Sequence, residues 1–95
     1  MKTTTNKEIQ PVESRGRQTA MAALFDKKLN NDMLQVNQVV YASGYMNFQA
    51  VINKEKKTNI NCDRDGRWID DEMNEETEFT QMIGQMIEKH FEGRK

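Results

Sequence analysis

A single cysteine, Cys62, stands in 95 residues, so no disulfide can form within the chain and a stapled scaffold is excluded. There is also one histidine, His90, and one Cys with one His cannot make a structural zinc site. Proline occurs once, at Pro11, and no apolar run approaches the ~20 residues needed to span a bilayer. The first residues lack the apolar centre of a secretion signal. These absences lead to the expectation of an intracellular, cytoplasmic protein with no membrane segment. Catalytic groups are equally scarce. No glycine-rich phosphate loop occurs, Cys62 has no base beside it in sequence, and His90 lies at a helix end next to Phe91. The expectation is a protein that is not an enzyme and uses no cofactor.

What is present is patterned. Met1 to Gly16 carries three consecutive threonines, charges and the proline but few apolar residues, and reads as a disordered tail over 1–16. Residues 17–95 form the domain. Arg17 to Asn30 reads as a first helix: Ala20, Met21, Leu24, Phe25 and Leu29 share a side, and the alanines favour helix. Asn30-Asn31-Asp32 ends it. From Met33 to Ala42 β-branched residues take over. Ser43-Gly44 marks a turn, and Tyr45 to Ile52 alternates, with Met46, Phe48, Ala50 and Ile52 on one face. Thr58 to Cys62 reads as a third strand, Asp63 to Gly66 as a turn, and Arg67 to Ile69 as a short fourth strand. Asn74 to Glu92 closes the chain as a helix with the stripe Phe79, Met82, Ile83, Met86, Ile87 and Phe91. Gly84 interrupts that helix at a cost of about 1 kcal/mol, which close approach of another backbone would explain.

The predicted fold is therefore α+β and single-domain. A helix, a three- or four-stranded antiparallel meander and a long amphipathic C-terminal helix follow one another, with both helices on one sheet face. The other face, with Tyr45, Asn47 and Gln49, is expected to meet solvent or a partner.

Charge is uneven although the net value is −1. Residues 1–62 hold nine Lys/Arg against five Asp/Glu, and residues 63–95 hold five against ten. The acidic part includes the strip Asp70, Asp71, Glu72, Glu75 and Glu76. With Tyr45, Asn47 and Gln49, this strip supplies the expected partner-binding residues. The leading function is a small accessory or regulatory protein that binds another protein. It would be an inhibitor or adaptor of the kind phages and mobile elements carry, with a homodimer as a further expectation.

Two other readings compete. Lys54, Lys56 and Lys57 on one connection, with Arg64 and Arg67 on the next, would suit a nucleic-acid-binding module. The helix–strands–helix order is similar to that of the double-stranded RNA-binding domain. That family opens its last helix with a lysine-rich motif, whereas Asn74-Glu-Glu-Thr-Glu78 stands here. Separately, Asn61, Asp63, Asp65, Gly66, Trp68 and Glu72 fall on the spacing of a twelve-residue calcium loop, so 61–72 resembles that of EF-hand proteins. The resemblance implies calcium ligation by Asn61, Asp63, Asp65 and Glu72. Asn61 stands where Asp is usual, and Trp68 where a smaller aliphatic residue is usual. A hairpin turn on Asp-x-Asp-Gly followed by an acidic helix start accounts for the same residues, and no metal is favoured.

Overall fold

Strand-forming residues from Gln18 to Asp70 build one antiparallel sheet in the computed structural model, which describes residues 12–93. A single 3-10 turn, Val12–Ser14, precedes it. The strands are β1 (Gln18–Leu29), β2 (Asp32–Tyr41), β3 (Met46–Ile52), β4 (Lys56–Cys62) and β5 (Trp68–Asp70). They run as a meander in the order β1-β2-β3-β4-β5. One helix, α1 (Glu78–Glu92), lies across one face. The α+β class and the meander are as the sequence predicts. The number of helices and the size of the sheet are not.

The predicted first helix, 17–30, is strand β1. Leu29 pairs with Asp32, which leaves Asn30-Asn31 as a two-residue hairpin loop, with Asn30 at φ 55°. Asparagine tolerates that left-handed conformation, so the residues taken for a helix end reverse a strand instead. The helical spacing also has a cause. The register of β1 slips between Gln18 and Ala20 and again between Ala23 and Phe25. The second bulge lets Leu24, Phe25 and Leu29 all pack against the core, a set that strict alternation would divide between faces. Pairing along all of β2 outweighs the alanines' helix propensity.

The core forms between the sheet and α1. Leu34, Val36, Ala50, Ile60 and Trp68 meet Ile83 and Ile87, and Phe48, Ile52, Phe79 and Met86 pack around them. Ala50, Phe48 and Ile52 thus lie on the face predicted to take a helix. Of the predicted helix stripe, Met82 and Phe91 remain partly exposed. The helix starts later than predicted, at Glu78 rather than Asn74, because Asn74 adopts φ 61° in a loop and Thr77 forms the cap. Thr77 Oγ1 accepts the Thr80 N–H at 3.1 Å, and Thr80 Oγ1 accepts the Thr77 N–H at 2.9 Å. This is a capping box closed by threonine in place of the usual Glu or Gln.

Thr80 also ties α1 to the sheet, since its hydroxyl donates to the Trp68 carbonyl at 2.7 Å. At the far end the His90 ring stacks on Phe25 of β1 with centroids 5.2 Å apart. The helix therefore crosses the sheet obliquely, from β5 towards β1. Thr80→Val keeps the Thr77 cap but removes its reciprocal half and orphans a buried carbonyl, and should lower stability by about 2 kcal/mol in urea unfolding. A loss below about 0.5 kcal/mol would show that the threonine does not hold this junction.

Candidate functional site

The sheet face opposite α1 is not the open surface its polar residues suggest. Asn37, Tyr45, Asn47, Asn61 and Asp71 are all buried. The residue that closes this face is Arg15, which the sequence reading assigned to the tail. Its guanidinium donates to the Asp71 carbonyl at 2.9 Å and lies 3.4 Å from the Asp71 carboxylate. It also sits over the Tyr45 ring, 4.6 Å from the centroid. Arg15, within the stretch 1–16 expected to be a tail, thus packs on the sheet, and residues 1–11 of that stretch lie outside the described residues.

Tyr45, Asn47 and Asp71, three of the predicted partner-binding residues, come together here as internal groups. The Tyr45 hydroxyl donates to Asp71 Oδ2 at 2.9 Å, and Asn47 Nδ2 donates to the same oxygen at 3.0 Å. Asn61 Nδ2 donates to the Tyr45 hydroxyl at 3.0 Å and to the Met46 carbonyl at 2.7 Å. Asn59 and Asn47 both donate to the Tyr41 hydroxyl. Burial, with the Asp71 charge beside it, pushes the Tyr45 hydroxyl well above its ordinary pKa and keeps it protonated as a donor. With their side chains turned inward, these groups clamp the chain before β1 onto the sheet. Gln49 is half-buried.

The rest of the predicted strip forms the loop between β5 and α1. Asp70 is half-buried, and its carboxylate accepts the N–H of Glu72 and of Met73. Its own N–H donates to the Glu75 carbonyl at 2.7 Å. Glu72, Glu75 and Glu76 are exposed, and Glu76 accepts a hydrogen bond from Gln81.

The predicted calcium ligands are not brought together. Asn61 is a buried residue of β4, committed to Tyr45 and Met46. Asp63 organises the β4–β5 turn by accepting the N–H of Asp65 and of Arg67. Burial alone would raise its carboxyl, but these N–H groups and the Arg67 guanidinium hold it below the usual carboxylate range. Among the described residues no group of three acidic, His or Cys side chains is placed to hold a metal ion.

The basic residues also separate. Arg64 and Arg67 lie on the β4–β5 turn, where Arg67 pairs with Asp63 at 3.0 Å. Lys54 lies on the β3–β4 turn at the other end of the sheet, and Lys56 and Lys57 open β4 instead of sitting in a connection. The lysine turn is tied to the β1–β2 hairpin, because Asn53 Nδ2 donates to Asp32 at 2.9 Å and Asn53 Oδ1 accepts the Met33 N–H at 2.9 Å. Cys62 is a free thiol, pushed up by burial and by the Asp63 and Glu88 carboxylates. That is the reverse of what activates a nucleophilic thiol.

The feature the sequence reading missed is the edge of the sheet. Every residue from Gln18 to Ala23 is exposed, and Met21 is 49% exposed. The signal was available: Thr19 to Phe25 carries no charge and no proline, and Asn30-Asn31 is a hairpin loop. At the other edge, β5 is three residues long and is followed by the bridge between Asp70 and Glu75. No helix among the described residues is long and apolar enough to cross a membrane. Compared with protein families, curated proteins and solved structures, the chain matches none.

Proposed function

We infer that this is a small, non-enzymatic accessory protein that binds another protein by taking one of its strands along β1. The observation that supports this is the length and exposure of that edge. β1 is twelve residues long, and its outer side makes no backbone hydrogen bond among the described residues. Long unprotected edges are pairing templates, and natural proteins usually blunt them with charge or proline. Here the stretch from Gln18 to Phe25 has neither. Strand addition would satisfy the edge, and Met21 with the neighbouring alanines would seat small apolar side chains of the partner. The bulges on either side of Ala20–Ala23 confine the regular template to a short segment, which favours one bound strand over open-ended stacking.

A second reading, nucleic-acid binding, draws on the joining of two hairpins that carry Lys27, Lys28, Lys54, Lys56 and Lys57 at one end of the sheet. One experiment separates the two. Wild-type protein and the exposed-edge variant Met21→Lys/Ala23→Lys are used as baits in a source-cell lysate, with and without nuclease. The expected result is a nuclease-resistant protein partner held by the wild type and reduced at least about tenfold on the variant, since a strand docked on two buried charges loses well over 1.4 kcal/mol. Circular dichroism should be unchanged. Equal capture by the variant rules out the edge, and material lost on nuclease treatment favours the lysine end. Light scattering of the bait alone shows whether a second copy uses the same edge.

A further inference from the structure

The first eight residues of β1, Gln18 to Phe25, carry no charge. The register gives each face of this stretch its neighbours. Ala20 and Ala22 stand beside Val40 and Gln38 on the α1 side, and Met21 and Ala23 beside Val39 and Asn37 on the other. A strand added here meets no charged side chain of β1 or β2 along this stretch, on either face. Both ends of the stretch are different. Arg17 precedes it, and Asp26, Lys27 and Lys28 follow it. Arg17, Lys27 and Lys28 are exposed, and none makes an ion pair among the described residues.

The two lysines lie on opposite faces. Lys27 is level with Leu34, a core residue, and so stands on the α1 side. Lys28 is level with Met33 and stands on the other side, with Asp26. The carboxylates nearby do not cancel them. Residues 17–29 hold three cations and one anion. Asp32 belongs to β2, one strand further in, and its Oδ1 accepts from Asn53 Nδ2 at 2.9 Å. The adjoining β3–β4 hairpin adds Lys54, Lys56 and Lys57 against Glu55. The edge therefore has a neutral centre between two positive ends, in a chain whose net charge is −1.

We propose that the strand β1 accepts is acid-ended: an uncharged β-forming centre with aspartate or glutamate on both sides. This rests on the edge reading above and names the chemistry of its partner. A strand sends successive side chains to opposite faces, so two successive acids beside Lys27 and Lys28 meet one lysine each. Opposite charges across a pair of strands stabilise it, and like charges directly opposed destabilise it. With two acids at that end, a one-residue shift at the bulge between Ala23 and Phe25 still leaves an acid opposite a lysine. The acids at the other end meet Arg17. Because cations stand at both ends, the preference holds whichever way the strand runs. The lysines of the β3–β4 hairpin lie further from the edge and speed the approach of an acidic segment.

The test is a titration of ¹⁵N-labelled full-length protein with capped peptides, followed by amide shifts. The peptides share one short valine–threonine centre and carry aspartates, serines or lysines at both ends. The aspartate-ended peptide should move the amides of Ala20 to Ala23 in a saturable way. It should bind about tenfold more tightly than the lysine-ended one, with the serine-ended one between them. At about 1 M salt, where the Debye length is about 3 Å, the three should converge. Lys27→Glu/Lys28→Glu changes two exposed residues, should leave circular dichroism unchanged and should reverse the order, so that the lysine-ended peptide binds best. Equal affinities, with all three peptides shifting Ala20 to Ala23, overturn the acid preference and leave the edge reading standing. If no peptide shifts those amides, the edge reading fails and this inference with it. A short oligothymidine should bind more weakly than the aspartate-ended peptide. Tighter binding, with shifts at Lys54 to Lys57, would assign the lysines to nucleic acid and overturn the inference.

Discussion

Replacing Gly84 by alanine is expected to destabilise the protein by about 3 kcal/mol, although alanine is the better helix former. A Cβ built at Gly84 would fall 2.0 Å from Trp68 Cγ and 2.3 Å from the two adjoining ring carbons. The atom approached is the root of the indole, so no small rotation relieves the clash and the whole ring must leave its seat. That ring is held by the Nε1–H bond to Glu88 Oε2 at 2.8 Å and by stacking with Phe48 at 5.8 Å. Displacing it also breaks into the buried set that includes Ile83 and Ile87. The helix-propensity gain of about 1 kcal/mol cannot offset this. Urea unfolding should show the loss, and the thermal midpoint should fall by about 10 °C or more. In a double-mutant cycle, Trp68→Leu should make Gly84→Ala nearly neutral. If Gly84→Ala alone is neutral, the indole does not lie on this glycine. The close approach expected from the sequence is thus made by a side chain instead of a backbone.

Asp71→Ala should be the most damaging polar substitution, costing about 4 kcal/mol. The Asp71 side chain is fully buried and that of Arg15 is 2% exposed. Removing the carboxylate takes from the guanidinium its Asp71 ion pair and from the Tyr45 hydroxyl and Asn47 Nδ2 their shared acceptor, while Arg15 keeps the backbone carbonyl of residue 71 and Asn47 the Tyr41 hydroxyl. The buried charge dominates the cost, because weakening the compensation of an ion in low dielectric is less tolerable than losing one acceptor of a neutral donor. Two variants separate charge from packing. Arg15→Met alone leaves Asp71 unpaired and should cost a comparable amount. Arg15→Met with Asp71→Leu removes both ions and should recover most of the loss. Equilibrium unfolding of the four proteins gives the coupling directly, and a coupling below about 1 kcal/mol would show that Arg15 is not closed on Asp71.

The two substitutions also mark where sequence reasoning reaches and stops. β2, β3 and the C-terminal helix were legible because the residues each turns to the core keep period 2 or 3.6, although β2 and β3 also bury residues on the opposite face. β1 was not, because two bulges break its alternation and turn Leu24, Phe25 and Leu29 to one side, as a helix would. The burial of the polar sheet face was missed for a related reason. Tyr45, Asn47 and Asp71 are polar, and in a local reading polar residues point to water. Contacts with residues far apart in the chain, Arg15 among them, make their burial tolerable. The three lysines and two arginines of the nucleic-acid reading likewise divide once hairpins, and not sequence neighbours, decide which turns lie together.

Composition and periodicity by themselves determined a small α+β domain with one apolar helix stripe, a meander, a single free cysteine and little catalytic equipment. Those properties depend on residue types and short-range spacing, which the chain states directly. The tertiary structure decided that β1 is an open edge, that Arg15 seals the polar face and that Lys27 and Lys28 of the edge stand on opposite faces. Each of these depends on pairing register or on contacts between residues far apart in the chain, where burial and electrostatics outweigh local propensity.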